Sequence, residues 1–302
     1  MPVQMPDVPD LSLAEELRKR GIHPNRKLGQ NFMVDRQMLD FLVRSANVKK
    51  SDIVLEIGTG AGFLTQRLCQ LAKRVVSVEI DAKLYELSRD RLAGLPNLTL
   101  IHADALAGEH RYDDRTVSML FSSCSPKTGA ETVAPTVRKH TENHATNMRR
   151  PPDRRTVAHG QMLKIVSNLP YGIATAVIQT TLESELPFSG IWATAQREVA
   201  ERLTAKPGDS EYGFVSVLVS LLADIRIVRT LGPGGFWPRP NVESAILEII
   251  LRPGKRKAAG DIRRLRRVLS KLFSFPRKEL GAALKLSGFA PEGIIRVEKK
   301  LS

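Results

Sequence analysis

The chain has 302 residues, 42% of them hydrophobic, which is enough for one large domain with an appendage or for two domains. Its two cysteines, Cys69 and Cys124, are too few for a disulfide framework and lack metal-ligand spacing, so we predict a protein of the reducing cytoplasm. No stretch approaches 18 uncharged apolar residues and the first 21 residues contain no long apolar run, so we expect neither a membrane span nor a secretory signal.

The net charge of +14 is unevenly distributed along the chain. Residues 252–302 contain 15 Lys and Arg but only 4 Asp and Glu, so this last sixth of the chain carries about +11 of the total. A solvated basic helix can produce such a run, but the asymmetry favours a module that binds a polyanion. Nucleic acid is therefore the predicted class of partner.

Hydrophobic periodicity predicts two helices and then a regular alternation in the first third of the chain. The two helices cover residues 11–20 and 35–46, and Asp35 is available as the N-cap of the second. The alternating elements that follow are strands at 53–57, 74–79 and 98–102 and helices at 63–71 and 83–93. This βαβαβ pattern is typical of an open parallel sheet whose ligand binds at the carboxyl ends of the strands.

The alternation stops after Leu106. Residues 122–161 are basic, rich in Ser, Thr, Pro and Asn, and poor in aromatic residues, so we predict a long insert that is either disordered or a functional arm. Three histidines of the insert, His140, His144 and His159, invite a metal-binding interpretation. No Cys or carboxylate falls at ligand spacing from them, so we predict no metal site.

The alternation resumes at residue 163. The predicted elements are strands at 163–167, 190–195, 226–230 and 245–250 and helices at 174–182, 198–203 and 213–222. We expect the last two strands to form an antiparallel hairpin at the edge of the sheet. Residues 254–261 are predicted to be a linker, followed by helices at 262–273 and 277–286. We therefore divide the chain into an α/β domain, residues 1–252, and a small basic helical domain, residues 253–302.

The glycine-rich turn after the first buried strand narrows the choice of ligand. Gly58, Gly60 and Gly62 are spaced G-x-G-x-G, whereas dinucleotide folds use G-x-G-x-x-G, and Glu56 precedes the turn. Without a diphosphate to hold, a close backbone approach suits an adenosine-methionine ligand.

Two carboxylates at the ends of the next strands agree with such a ligand. Glu79 is placed to accept from the two ribose hydroxyls, and Asp104 from the adenine amine. A carboxylate at a strand end is commonly only solvated. A glycine-rich turn, a Glu and an Asp at three successive strand ends together predict S-adenosylmethionine as the cofactor.

The motif Asn168-Leu169-Pro170-Tyr171 follows a short apolar run about 110 residues after the glycine turn. An amine conjugated to a ring becomes a better nucleophile when acceptors around its N–H groups draw its lone pair out of the ring plane. The side-chain oxygen of Asn168 and a backbone carbonyl beside Pro170 can be these acceptors, and Tyr171 offers a stacking face. Taken alone, the motif fits a strand end, a proline turn and a buried tyrosine equally well.

Eight segments of the sequence resemble, in order, the motifs of the ribosomal RNA adenine dimethyltransferases. They are 28–35 (LGQNFMVD), 56–62 (EIGTGAG), 78–81 (VEID), 104–106 (DAL), 168–171 (NLPY), 196–203 (QREVAERL), 212–219 (YGFVSVLV) and 236–244 (FWPRPNVES). The resemblance extends from about residue 13 to residue 252. The residues of these motifs are most similar to those of the branch that dimethylates two adjacent adenosines near the 3′ end of small-subunit rRNA. They are less similar to those of the erythromycin-resistance branch.

The resemblance implies a Rossmann-like S-adenosylmethionine-dependent methyltransferase fold with a mostly parallel seven-stranded sheet. It implies a cofactor site lined by Asn31, Met33, Gly58, Gly60, Glu79, Asp104 and Asn168. It also implies a base site formed by Asn168, Leu169, Pro170 and Tyr171, with Phe236 as a second stacking face. The implied partner is small-subunit rRNA in a pre-30S-like particle, bound by a monomeric, cytoplasmic enzyme with a role in small-subunit biogenesis.

The sequence departs from the family pattern in the parts expected to contact RNA. Asp104 and Asn168 are 64 residues apart, where relatives usually have some twenty, and Ala103 replaces a usual glycine. The C-terminal Arg-Arg-Lys-x-Leu motif appears as residues 276–280, PRKEL. The alternatives are a large-subunit rRNA or DNA adenine methyltransferase, a noncatalytic assembly or transcription factor on the same fold, and, more distantly, a NAD-dependent dehydrogenase.

Overall fold

The computed structural model describes residues 10–25, 28–108, 111–121, 162–275 and 278–288. The predicted insert at 122–161, with its three histidines, lies outside these ranges. Within them there are nine strands: β1 (Phe32–Met33), β2 (Ile53–Ile57), β3 (Arg74–Glu79), β4 (Leu98–His102), β5 (Leu163–Asn168), β6 (Phe188–Gln196), β7 (Ala223–Leu231), β8 (Phe236–Trp237) and β9 (Ser244–Leu251).

Seven of these strands form one sheet in the order β4-β3-β2-β5-β6-β9-β7. Strands β2 to β6 pair parallel with one another, whereas β9 runs antiparallel to both β6 and β7. The predicted mostly parallel sheet with an antiparallel edge hairpin is confirmed. The two remaining strands, β1 and β8, pair antiparallel with each other in a small separate sheet.

The described ranges contain eleven α-helices. They are α1 (Asp10–Lys19), α2 (Arg36–Ala46), α3 (Phe63–Leu71), α4 (Ala82–Arg91), α5 (Asp114–Phe121), α6 (Ala174–Glu183), α7 (Arg197–Thr204), α8 (Phe214–Leu222), α9 (Pro253–Ala259), α10 (Ile262–Phe273) and α11 (Leu280–Leu286). The predicted cap of α2 is confirmed, because the Asp35 carboxylate accepts from the backbone N–H groups of Gln37 and Met38. None of these helices has the length and hydropathy needed to span a bilayer.

Two helices occur where the sequence predicted none. The helix α5 follows Leu106, where the alternation was expected to stop, and it buries Thr116 and Leu120. The helix α9 occupies the predicted linker. It begins with a proline, which suits a first helical turn, but it buries no residue, so the sequence carries no apolar periodicity there. The linker prediction was wrong for this reason.

The core lies on both faces of the sheet. Successive residues of a strand point to opposite faces, so Leu55 and Ile165 join one apolar cluster while Val54 and Val166 join the other. Both faces are buried, as expected for a parallel sheet covered by helices. Ile262 and Leu269 of α10 belong to the first of these clusters, so this C-terminal helix packs on the core of the sheet domain. The predicted domain boundary at residue 252 stays a prediction.

A buried ion pair fastens the central strand β5 to the connection between α2 and β2. The ammonium group of Lys164 lies 2.8 Å from the carboxylate of Asp52, and both side chains are buried. Lys164 also donates to the backbone carbonyls of Ala46 and Asn47 at 3.1 and 3.0 Å. Its charge lies 5.4 Å from the centre of the Trp192 ring. Each of the three N–H donors of the ammonium group therefore has an acceptor.

Candidate functional site

Four parallel strands bring the predicted functional segments to one edge of the sheet. Because the strand order is β4-β3-β2-β5, the segment containing Asp104, then Glu79, then the glycine turn, then Asn168 follow one another at neighbouring carboxyl ends. In open α/β sheets this edge is where ligands bind.

The glycine turn is built from left-handed backbone. Gly58, Gly60 and Gly62 have φ angles of 85°, 57° and 82°, which side chains rarely adopt. A Cβ at Gly58 would lie 3.3 Å from the Pro170 ring, and one at Gly60 would lie 3.1 Å from the Phe32 ring. The turn therefore packs closely against two other predicted motifs, and its missing side chains permit that approach.

The Glu79 carboxylate lies beneath the glycine turn and is 4% exposed. It accepts hydrogen bonds from the backbone N–H of Gly60 at 2.8 Å and of Asp81 at 2.9 Å. A carboxylate has about four lone-pair sites, so it keeps acceptor capacity for ligand hydroxyls. Burial raises the pKa of Glu79 above its usual range, and backbone hydrogen bonds from Asp81, Gly60 and Ile80 partly oppose this effect.

Glu56 is a second buried carboxyl group under the turn. One of its oxygens accepts from the hydroxyls of Thr65 and Ser77 at 2.6 and 2.7 Å. The other oxygen has no hydrogen-bond partner within the described residues. Burial raises the pKa of Glu56 to about 8, so this group is mainly uncharged at neutral pH. Glu56 therefore does not place a negative charge beside Glu79 under those conditions.

Asp104 and the residues near it form the far end of this edge. One carboxylate oxygen of Asp104 accepts from the backbone N–H of Leu106 at 2.9 Å, and the side chain is exposed. Ile80, which follows Glu79, is 47% exposed. His102 forms a hydrogen bond with the Ile80 carbonyl at 3.2 Å and stacks on Tyr85. This end thus combines an acidic acceptor with an exposed apolar side chain.

The carboxamide of Asn168 has partners of opposite polarity. Its nitrogen donates to the backbone carbonyl of Asn31 at 2.8 Å, and its oxygen accepts from the Thr194 hydroxyl at 2.5 Å. A carbonyl can only accept, so the amide nitrogen must be on the Asn31 side. The oxygen keeps its second lone pair for an incoming N–H group.

The rest of the motif forms a turn into α6. The carbonyl of Pro170 accepts from the backbone N–H of Ile173 at 3.1 Å and retains one lone pair. The ring of Tyr171 is half-buried, and its hydroxyl shares a hydrogen bond with the buried hydroxyl of Ser244. Burial raises the pKa of Tyr171, so its phenol is neutral at physiological pH.

The segment before β1 connects the two halves of the site. A Cβ at Gly29, whose φ is 63°, would lie 2.9 Å from the Tyr171 backbone nitrogen. Two residues later, the Asn31 carbonyl holds Asn168, and Phe32 covers Gly60. Residues 29–32 therefore touch both the glycine turn and the motif at 168–171.

Three residues that the resemblance assigns to the site have side chains in the hydrophobic core. Met33 is 3% exposed, Leu169 is 1% exposed and Phe236 is 3% exposed. Met33 and Phe236 pair across β1 and β8 in one apolar cluster, and Leu169 belongs to the other. In this conformation none of the three presents a side-chain face to a ligand.

Sequence reasoning did not single out Ile80, Thr194 or Ser244. The sequence did contain a signal for an apolar side chain at this edge, because Ile80 directly follows the strand-end Glu79. Ser244 closes a segment that resembles a family motif, but no role was attached to it. Thr194 contacts Asn168 only because β6 lies beside β5, which the sequence does not state.

The fold and this edge define the class of the protein. A mainly parallel seven-stranded sheet, a glycine turn of the G-x-G-x-G type and acidic residues at the next strand ends fit an adenosine-methionine ligand. The residues present fit the cofactor, since the turn excludes side chains and Glu79 keeps acceptor capacity. The protein is a Rossmann-like S-adenosylmethionine-dependent methyltransferase.

Comparisons with known proteins narrow this class. The family model "Ribosomal RNA adenine dimethylase" matches residues 22–293. A protein of Lachnoclostridium phytofermentans named "Ribosomal RNA small subunit methyltransferase A" is 33% identical over 263 residues, 87% of this chain and 77% of the relative. The chain belongs to the ribosomal RNA adenine dimethylase family.

Two solved structures are similar to the fold. A dimethyladenosine transferase from Plasmodium falciparum is 26% identical with a TM-score of 0.61, covering 84% of this chain and 74% of that one. The 23S rRNA methyltransferase ErmE is 24% identical with a TM-score of 0.57, covering 84% and 83%. The second likeness concerns the fold alone.

Cofactor affinity is expected to depend on pH through Glu79. Protonation removes an acceptor lone pair that the ribose hydroxyls need, and the pKa of Glu79 is raised, so affinity weakens as pH falls through that raised value. Calorimetric titration of S-adenosylhomocysteine between pH 9 and 5 measures this effect.

Two variants distinguish the contributions of Glu79 and Glu56, the two carboxyl groups under the turn. Glu79→Gln is expected to bind more weakly with a flattened pH profile, whereas Glu56→Gln is expected to retain the profile. An unchanged profile in Glu79→Gln would contradict the assignment.

Proposed function

We propose that this chain transfers methyl groups from S-adenosylmethionine to N6 of two adjacent adenosines in a 3′-end hairpin of small-subunit rRNA. The observation that carries the proposal is the carboxamide of Asn168, held in one orientation at the sheet edge beside the glycine turn. The family assignment and the names of relatives such as "Ribosomal RNA small subunit methyltransferase A" support the choice of substrate.

The cofactor site is assigned to the glycine-turn side of the edge. The backbone of Gly58 and Gly60 approaches the ligand closely, Glu79 accepts from the ribose hydroxyls, and Asp104 accepts from the adenine amine. The backbone at Asn31 and Met33 closes this side. Bound S-adenosylmethionine supplies an electrophilic methyl group on a sulfonium centre.

The base site is assigned to the residues of the motif at 168–171. The free lone pair of Asn168 Oδ1 and a backbone carbonyl at Leu169 or Pro170 accept from the two N–H groups of the adenine amine. This geometry draws the nitrogen lone pair out of the ring plane and toward the methyl group. The ring of Tyr171 stacks on the extruded base, and alignment of the reactants supplies most of the rate.

Proton release needs no dedicated base in this scheme. The amine becomes acidic once it is alkylated, so it loses its proton to water. The tyrosine hydroxyl is committed to Ser244 and its pKa is raised, so it stays neutral and serves as a stacking surface.

Binding of RNA is assigned to charge outside this edge. The exposed side chains Lys257, Arg263, Arg264 and Arg267 of α9 and α10 can neutralise phosphates. We extend the proposal to a monomeric, cytoplasmic enzyme that acts on a pre-30S-like particle and contributes to small-subunit biogenesis. Shape rather than base sequence would then select the hairpin.

The preferred methyl acceptor distinguishes the proposed function from the alternatives. Purified protein and radiolabelled S-adenosylmethionine are incubated with small subunits that lack the modification, with large subunits, and with DNA. Transfer to small subunits is expected, with large subunits and DNA labelled at least tenfold less. Preferential labelling of large subunits or DNA would replace the proposed substrate, and binding without transfer to any acceptor would favour a noncatalytic factor.

Replacing Tyr171 with alanine tests the stacking role. Losing one base stack is expected to cost about 1 to 3 kcal/mol in kcat/KM, while the Kd for S-adenosylhomocysteine changes less than twofold. Tyr171→Phe keeps the ring but loses the hydroxyl bond to Ser244, so it should lose less kcat/KM than the alanine variant. Full activity in the alanine variant would remove Tyr171 from the base site.

A further inference from the structure

We propose that two buried hydroxyls, those of Thr194 and Ser244, are positioning residues that hold Asn168 and Tyr171 for methyl transfer. This inference rests on the proposed function and adds residues from two further strands to the site. Neither hydroxyl can touch a substrate, because both residues are 0% exposed.

The sheet register places both hydroxyls beside the motif. Thr194 of β6 is the direct cross-strand partner of Asn168, the last residue of β5. Two residues further along β6, Gln196 pairs with Ser244, the first residue of β9. The carboxyl end of β6 and the start of β9 thus form a second row behind residues 168–171.

Thr194 determines what the Asn168 oxygen can do. The amide oxygen only accepts, so the threonine hydroxyl must donate to it. With the nitrogen tied to the Asn31 carbonyl, the amide is held at both ends and its remaining lone pair has one direction. Without the hydroxyl, the carboxamide would keep one tether, and its oxygen could rotate away from the amine it is proposed to accept.

Ser244 has the same relation to Tyr171. Its hydroxyl pairs with the phenol oxygen at the far edge of the ring, so the bond fixes the ring plane without covering its faces. The backbone of Ser244 also begins β9, which is buried against β6. The serine therefore ties the stacking ring to a rigid strand instead of to a loop.

A purely structural role is the rival interpretation, since buried hydroxyls commonly only satisfy their neighbours. The chain offers a matched case. The hydroxyls of Thr181 and Tyr112 form a buried pair between α6 and the segment before α5, away from the sheet edge. Loss of that pair should affect folding but should not affect catalysis by folded protein.

The test compares Thr194→Val, which is isosteric but cannot donate, with Thr194→Ser, which can. Removing one hydrogen bond that orients a reacting group is expected to lower kcat about fivefold to tenfold in the valine variant, and the serine variant should recover most of it. The Kd for S-adenosylhomocysteine should change less than twofold in both. Thr181→Val should leave kcat unchanged.

A double-mutant cycle tests the second hydroxyl. Ser244→Ala and Tyr171→Phe each remove one side of the same bond, so the double variant should lose no more kcat than either single variant. Wild-type kcat in Thr194→Val would overturn the role of Thr194, and wild-type kcat in Ser244→Ala or additive losses in the cycle would overturn the role of Ser244. Absence of methyl transfer by the wild-type protein would instead overturn the proposed function, so the two failures are distinguishable.

Discussion

Asn168→Ala is expected to lower kcat about 100-fold, the scale of loss when a preorganised polar partner of a reacting group is removed. Asn168 Oδ1 is the one side-chain acceptor that the motif directs at the adenine amine. Its loss leaves the amine lone pair conjugated with the ring. Single-turnover methyl transfer to small subunits measures the effect directly.

Cofactor binding and folding serve as the controls for this variant. Alanine also frees the Asn31 carbonyl and the Thr194 hydroxyl, so the thermal midpoint should be compared with that of the wild type. We expect the Kd for S-adenosylhomocysteine to rise far less than kcat falls. A kcat within threefold of the wild type would remove Asn168 from the base site.

Lys164→Met is expected to lower the free energy of unfolding by about 3 to 5 kcal/mol, because it leaves the Asp52 carboxylate buried without its countercharge. The carbonyls of Ala46 and Asn47 lose a donor at the same time. Methionine fills a similar volume, so the loss reports on charge and hydrogen bonding more than on packing. Denaturant titration provides the measurement.

A more exposed pair in the same sheet provides the comparison. Arg226 is exposed and pairs with Glu248, so Arg226→Met should cost much less than Lys164→Met, because solvent screens the Arg226 charge. Replacing both buried partners, as in Lys164→Met with Asp52→Leu, should recover part of the loss. A cost for Lys164→Met no larger than that of Arg226→Met would show that the buried pair is not important for stability.

The sequence predicted the strand-rich centre of the fold well, for a physical reason. Strands β2 and β3 are short runs buried on both faces, and the observed bounds of β2, β3 and β4 match the predicted ones. The helix α9 was missed because it buries nothing, so no apolar period marks it. The strands β1 and β8 were missed because each has two residues and their pairing joins parts of the chain some 200 residues apart.

The candidate site was predictable to the level of backbone position. Strand ends in a parallel sheet meet at one edge, so Glu79, Asp104 and Asn168 could be placed together from pattern alone. Side-chain direction was not predictable in the same way, because a motif does not state which of its members faces the core. Leu169 and Phe236 are buried, and Thr194 supports Asn168 through strand register, which single-sequence patterns do not give.

Identification of the methylated nucleoside tests the proposed activity at the level of its product. Small subunits lacking the modification are incubated with the protein and S-adenosylmethionine, and their rRNA is digested to nucleosides for mass spectrometry. We predict N6,N6-dimethyladenosine at two adjacent positions near the 3′ end, and far less of it with Asn168→Ala in the same reaction time. Methyl groups on another base or another atom would contradict the proposed activity. Adenosine that stays unmodified after an incubation long enough for many turnovers would contradict it as well.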